Sequence, residues 1–90
     1  MENKIKISII GLGYVGLPLA VLFSEKYCVT GYDINSQRVD ELNSGLDKTN
    51  EIDSQKLLDV KVDDSQSKGL FVTSDKNKLL NSDYFIITVP

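Results

Sequence analysis

A chain of 90 residues, 41% apolar and 26% charged, with a net charge of −3, has the composition of a soluble globular domain, which excludes disordered, collagen-like and membrane-spanning classes. Its ten Lys and Arg are spread along the chain rather than clustered, so nucleic acid is not an expected partner. One Cys and no His exclude an internal disulfide and leave no plausible zinc site, no Ser-His constellation and no catalytic group set.

Residues 1–6 are polar and lead into an apolar run of about five residues, far short of a signal sequence or of the roughly 20 needed to cross a bilayer, so a cytoplasmic chain with no membrane partner is expected. That run, residues 5–10, is β-branched and nearly continuous, the pattern of a strand buried on both faces. Glycines over residues 11–16 break it. Residues 14–26 then form the first expected helix, with Val15, Leu19, Leu22 and Phe23 at helical spacing and Pro18 early enough for its missing N–H to matter little. Residues 28–32 read as a second strand ending at Asp33. Asn35 or Ser36 can cap a second helix carrying Val39 and Leu42 on one face, and Gly45 ends it. Asp53 can cap a further helical stretch through Leu57, Leu58 and Val60, while residues 63–69 are polar enough for a surface loop.

Residues 70–73 read as the third strand. Ser74 or Asp75 can cap a short helix through Leu79 and Leu80, and residues 84–89 form a fourth β-rich run that stops at Pro90. No repeat or linker divides the chain, so residues 1–90 read as one unit. Strands alternating with helices imply an α/β class with a parallel sheet and flanking helices. Right-handed crossovers place the strands in the order 3-2-1-4, half of a doubly wound, Rossmann-type nucleotide-binding fold that is truncated relative to the complete one.

Gly11-Leu12-Gly13-Tyr14-Val15-Gly16 is a G-x-G-x-x-G lying between a buried strand and a helix start, where its mechanism operates. Gly11 allows the tight turn, Gly13 lets the backbone approach a pyrophosphate without a Cβ in the way, and Gly16 lets the helix lie close on the sheet. The free N–H groups of the helix start then face phosphate charge. Asp33, at the end of the second strand, is placed to accept ribose hydroxyls, and its charge repels a 2′-phosphate, which favours NAD over NADP. Ile34 follows it, not an Arg that would pair with the extra phosphate. Arg38, one turn into the second helix, either packs over the adenosine or is solvated surface. Cys28 reads as a small core residue, and Asp47, Thr49 and Glu51 read as the polar positions of a solvated loop after Gly45.

The run Gly11-Leu12-Gly13-Tyr14-Val15-Gly16-Leu17-Pro18-Leu19-Ala20 closely resembles the start of the UDP-glucose/GDP-mannose dehydrogenase family, the nucleotide-sugar 6-dehydrogenases. Gly31-Tyr32-Asp33-Ile34-Asn35 with Arg38 and Val39 is similar to the family's second strand and helix, and Ile86-Ile87-Thr88-Val89-Pro90 to its fourth strand and following loop. The segment over residues 45–52 departs from the Ile-x-Glu-Pro pattern common in UDP-glucose and UDP-N-acetylmannosamine enzymes. It is more similar to the UDP-N-acetylhexosamine branch, including the UDP-N-acetylgalactosamine and UDP-N-acetylglucosamine enzymes of surface polysaccharide pathways.

The resemblance implies a four-electron oxidation of a sugar's C6 alcohol to a carboxylate with two NAD, through a thiohemiacetal and thioester on a catalytic Cys. Cys28 matches no such position. The carry-over is therefore confined to cofactor residues, with Gly11, Gly13, Tyr14, Val15 and Gly16 at the pyrophosphate, Asp33 at the ribose and Arg38 at the adenosine. The catalytic groups, the UDP-sugar site and the long helix through which the family dimerises are expected in the rest of a longer protein, so the ninety residues alone are expected to be inactive. A non-catalytic nucleotide-sensing module and a β-hydroxyacid-type NAD dehydrogenase domain share the glycine turn and the acidic residue and are the alternatives.

Overall fold

The computed structural model of the chain describes residues 5–48 and 52–88. Strands β1 (Lys6–Ile10), β2 (Cys28–Tyr32), β3 (Gly69–Thr73) and β4 (Tyr84–Ile87) alternate with helices α1 (Gly16–Ser24), α2 (Ser36–Asn43) and α3 (Ser54–Val60) and a short 3₁₀ turn, Lys76–Leu79. All pairings are parallel and the order is β3-β2-β1-β4, as the alternation predicts. Ile9 sits opposite Gly31 on one side and Ile86 on the other. The chain steps outward from β1 to β3 and then returns to the far side of β1, so a crevice opens where β1 and β4 deliver their C-terminal ends. No helix among the described residues is long and apolar enough to cross a membrane.

The two faces of the sheet differ in chemistry. Alternation along the strands puts Ile7, Ile9, Val29, Leu70 and Val72 on one face, where they pack with Leu17, Ala20 and Val21 of α1, Val39 and Leu42 of α2 and Leu57 of α3. Each fully buried Leu in this layer contributes roughly 1.5–3 kcal/mol. The opposite face carries Lys6, Ser8, Cys28 and Thr30, all buried, under the thinner cover of the 3₁₀ turn and neighbouring loops. There Ser8 and Ser82 share a hydroxyl hydrogen bond, Lys6 Nζ donates to Lys78 O (3.4 Å), and the Cys28 thiol donates to Ser65 O (3.0 Å). Thr30 Oγ1 meets no hydrogen-bond partner among the described residues.

Three expectations need correction. Helix α1 is shorter than residues 14–26, because residues 11–15 are used in the turn before it. Its buried stripe runs through Leu17, Ala20, Val21 and Ser24, whereas Val15 and Leu22 are exposed and Leu19 and Phe23 only flank the core. The helix is apolar nearly all round, so apolar spacing does not select a face; the close seat of Gly16 does. Asp53 holds the N-cap position of α3 without a capping side-chain bond. Thr49, Glu51, Val89 and Pro90 lie outside the described residues.

The ends of α2 behave as read. Asn35 Oδ1 accepts from the N–H groups of Gln37 (3.0 Å) and Arg38 (3.3 Å). At the other end Gly45 takes φ +88°, and Leu46 N–H donates to Glu41 O (2.9 Å) while Gly45 N–H donates to Leu42 O (3.0 Å), which together form a Schellman cap. This left-handed step turns the chain back toward the protein and delivers Asp47 inward.

Candidate functional site

An open cavity of about 730 Å3 lies at the C-terminal ends of β1, β2 and β4, within the range of cofactor clefts. Its floor is Ile10 and residues 11–13, its rim Tyr14 and Val15, and its far wall Tyr32, Asp33 and Ile34, with Thr88 at the end of β4. Tyr14, Val15 and Ile34 are exposed, so the mouth is apolar and accessible.

The turn is held from three directions. Gly11 takes φ +100°, a left-handed conformation that side chains disfavour, and its N–H donates to Tyr32 O (2.8 Å). Leu12 N–H donates to Asp33 Oδ2 (3.0 Å). Thr88 Oγ1 donates to Gly11 O (2.7 Å). A Cβ on Gly16 would overlap Gly11 O and Thr88 Oγ1, whereas a Cβ on Gly13 would have no protein atom within 4 Å. The third glycine thus permits the close seat of α1, and the second faces open space in the cavity. No side chain caps the first turn of α1, where Val15 holds the N-cap position. An uncapped helix start with its amides toward a cleft suits an anion.

Asp33 works locally as well as at the cavity. Its Oδ1 accepts from Asn35 N–H (2.9 Å) and its Oδ2 from Leu12 N–H, so the carboxylate is fixed while each oxygen keeps a second lone pair. Asp33 thus caps the local turn and also lines the cavity.

Gly11, Gly13, Tyr14, Val15 and Asp33 therefore converge on the cavity, and Gly16 supports it from behind. Arg38 is neither solvated surface nor part of the cavity wall. Its Nε and Nη2 donate to Leu12 O (2.9 and 2.6 Å), and its Nη1 pairs with Asp47 Oδ1 (2.9 Å). Asp47, expected in a solvated loop, has a side chain 0% exposed, because the Gly45 cap points it inward to a guanidinium that satisfies it. Thr88 was not among the expected cofactor residues, although the end of the strand beside the switch point is the signal that marks it.

A family model described as the UDP-glucose/GDP-mannose dehydrogenase family, NAD binding domain, matches residues 5–90. The UDP-N-acetyl-D-glucosamine 6-dehydrogenase of Pseudomonas aeruginosa is 42% identical over 88 residues, covering 98% of this chain and 19% of that protein. Protein CapL of Staphylococcus aureus is 42% identical over 84 residues, covering 93% and 18%. The solved structure of the UDP-N-acetyl-D-mannosamine dehydrogenase of Pyrococcus horikoshii matches with a TM-score of 0.76 at 39% identity, covering 94% of this chain and 20% of that one. The chain spans about a fifth of the length of these relatives.

Proposed function

Because the chain belongs to the UDP-glucose/GDP-mannose dehydrogenase family and carries its NAD-binding domain, we propose that its cavity holds NAD with the pyrophosphate on residues 11–16 and the adenosine ribose on Asp33. The observation that carries this reading is the junction of the Leu12 N–H with the Asp33 carboxylate beside an uncapped helix start. The helix start and the fixed acceptor Asp33 border one cavity, which supports phosphate at the first and hydroxyls at the second. The open space in front of Gly13 leaves room for the pyrophosphate. Arg38 borders the adenosine end from behind Leu12, and the carboxylate disfavours a 2′-phosphate.

When bound, NAD supplies the hydride acceptor for oxidation of an alcohol. The residues of this chain bind and orient it. We propose further that the chain works as the cofactor-binding part of a longer cytoplasmic dehydrogenase acting on a UDP-N-acetylhexosamine, whose C6 alcohol becomes a carboxylate for surface polysaccharide synthesis, and that the longer protein dimerises. The similarity to relatives named for UDP-N-acetyl-D-glucosamine and UDP-N-acetyl-D-mannosamine, and to Protein CapL, supports this substrate class.

Calorimetric titration of the chain with NAD and NADP tests the cofactor site. NAD is expected to bind more tightly than NADP, and Asp33→Ala to lose roughly 2 kcal/mol of NAD affinity, since hydrogen bonds to a charged group contribute about 1.5–3 kcal/mol. Equal affinity of the parent chain for both cofactors, or full NAD affinity in the variant, refutes the assignment.

A further inference from the structure

A buried ionic chain runs behind the cavity. Asp47 Oδ2 accepts from Ile52 N–H (2.9 Å) and its Oδ1 from Arg38 Nη1 (2.9 Å). The same guanidinium grips Leu12 O through Nε and Nη2, and Leu12 N–H ends on Asp33. The connection between α2 and α3 is thereby tied, through one carboxylate and one guanidinium, to the residue at the centre of the glycine turn.

Two features give this chain of contacts more than a packing role. The Arg38 fork presents its donors in a fixed plane, so orienting one edge on Asp47 determines where the other edge meets Leu12 O. Leu12 is also the only residue of the turn that is gripped on both its N–H and C=O by charged side chains among the described residues. Asp47 itself stands outside the cavity wall. We propose that Asp47 is a positioning residue for cofactor binding, acting through Arg38 to hold the Leu12 peptide at the orientation that aims the neighbouring turn at the pyrophosphate and keeps the Asp33 carboxylate in place. This rests on the NAD site proposed above.

Asn is the informative replacement. Asp47 accepts on both oxygens, whereas an Asn has one acceptor and one NH₂, so it must set that NH₂ against either the Arg38 guanidinium or the Ile52 N–H. Titrations with NAD on the parent chain, Asp47→Asn, Arg38→Gln and the double variant, at a temperature where circular dichroism shows all four folded, form a cycle. Asp47→Asn is expected to bind NAD about tenfold more weakly, with the double variant no weaker than Arg38→Gln alone, because contacts in one network are non-additive. In parallel, the Leu12 amide is expected to exchange with solvent faster in Asp47→Asn while the β2 and β3 amides keep their protection, a pattern that general loosening does not produce. If Asp47→Asn fails to fold, Arg38→Lys serves in its place. It keeps a cation beside Asp47 but cannot fork onto Leu12 O, and the same tenfold loss is expected. Parent-like NAD affinity in the folded variant, or additive losses in the cycle, overturns the role of Asp47 and leaves the NAD site standing. Absence of NAD binding to the folded parent overturns the NAD site and this role with it.

Discussion

Helices α1 and α2 begin in opposite ways a short distance apart. The start of α2 is closed by its own sequence, with Asn35 taking the N–H groups of Gln37 and Arg38. At α1 the capping position is Val15, which has no acceptor to offer, and the preceding turn carries two glycines while a third, Gly16, opens the helix. A helix start without a side-chain cap is less stable by about 1 kcal/mol. Here Leu17 N–H turns back to Gly13 O (3.2 Å) and Pro18 has no N–H, so the proposed anion site draws on the N–H groups just before them, beside the cavity. The difference also shows how to separate scaffold from site: where the chain satisfies its own donors it is building, and where it leaves them open beside a cavity it is binding.

Substitutions at the two starts sharpen this contrast, most strongly at α1. Gly16→Ala places a methyl on Gly11 O and Thr88 Oγ1, and backbone crowding of this kind costs about 3 kcal/mol. For a domain this size that lowers Tm by roughly 12–24 °C, and NAD binding is expected to vanish. A thermal melt with parent-like Tm would show that α1 has a less constrained seat. Thr88→Val keeps the shape but removes the donor to Gly11 O. NAD affinity is expected to fall about fivefold, the equivalent of one hydrogen bond near 1 kcal/mol, with Thr88→Ser restoring most of it; equal titration curves for Val and Ser would exclude the hydroxyl from the turn. Asn35→Ala is the control at α2. It is expected to lower stability by about 1 kcal/mol while NAD affinity stays within about twofold, and a large loss of binding would erase the distinction between the two starts.

Signals confined to a few neighbouring residues were legible in the sequence. The glycine turn, Asp33 at the end of β2, Asn35 before α2 and Gly45 after it each carry a mark within their own segment, even where their partners lie elsewhere, and strand order followed from alternation and handedness. What escaped depends on partners far along the chain. The buried face of α1 is set by contact with the sheet, not by periodicity in a helix that is apolar nearly all round. Asp47 sits in a polar stretch that looks solvated, and only Arg38, brought near by the Schellman cap, explains its burial. Thr88 directly follows the apolar strand β4, where only its place at the strand end marks it, and it meets Gly11 because the topology returns to β1. The polar layer of Lys6, Ser8 and Thr30 was likewise hidden inside strands that read as simply apolar or β-branched.

The bond from Thr88 to Gly11 O joins residues 77 apart in sequence, the same span that separates the first paired positions of β1 and β4, Ile7 and Tyr84. Closing so long a loop is entropically unfavourable before other contacts hold the ends near each other, and parallel pairing at long separation slows folding. The β1–β2–β3 ladder, joined through shorter connections, is therefore expected to gain amide protection first in pulsed hydrogen exchange, with the β4 amides following. Folding intermediates would then possess the glycine turn without its clamp, and cofactor affinity would arise in the final kinetic step, making NAD a ligand that slows unfolding more than it speeds the approach to the native state.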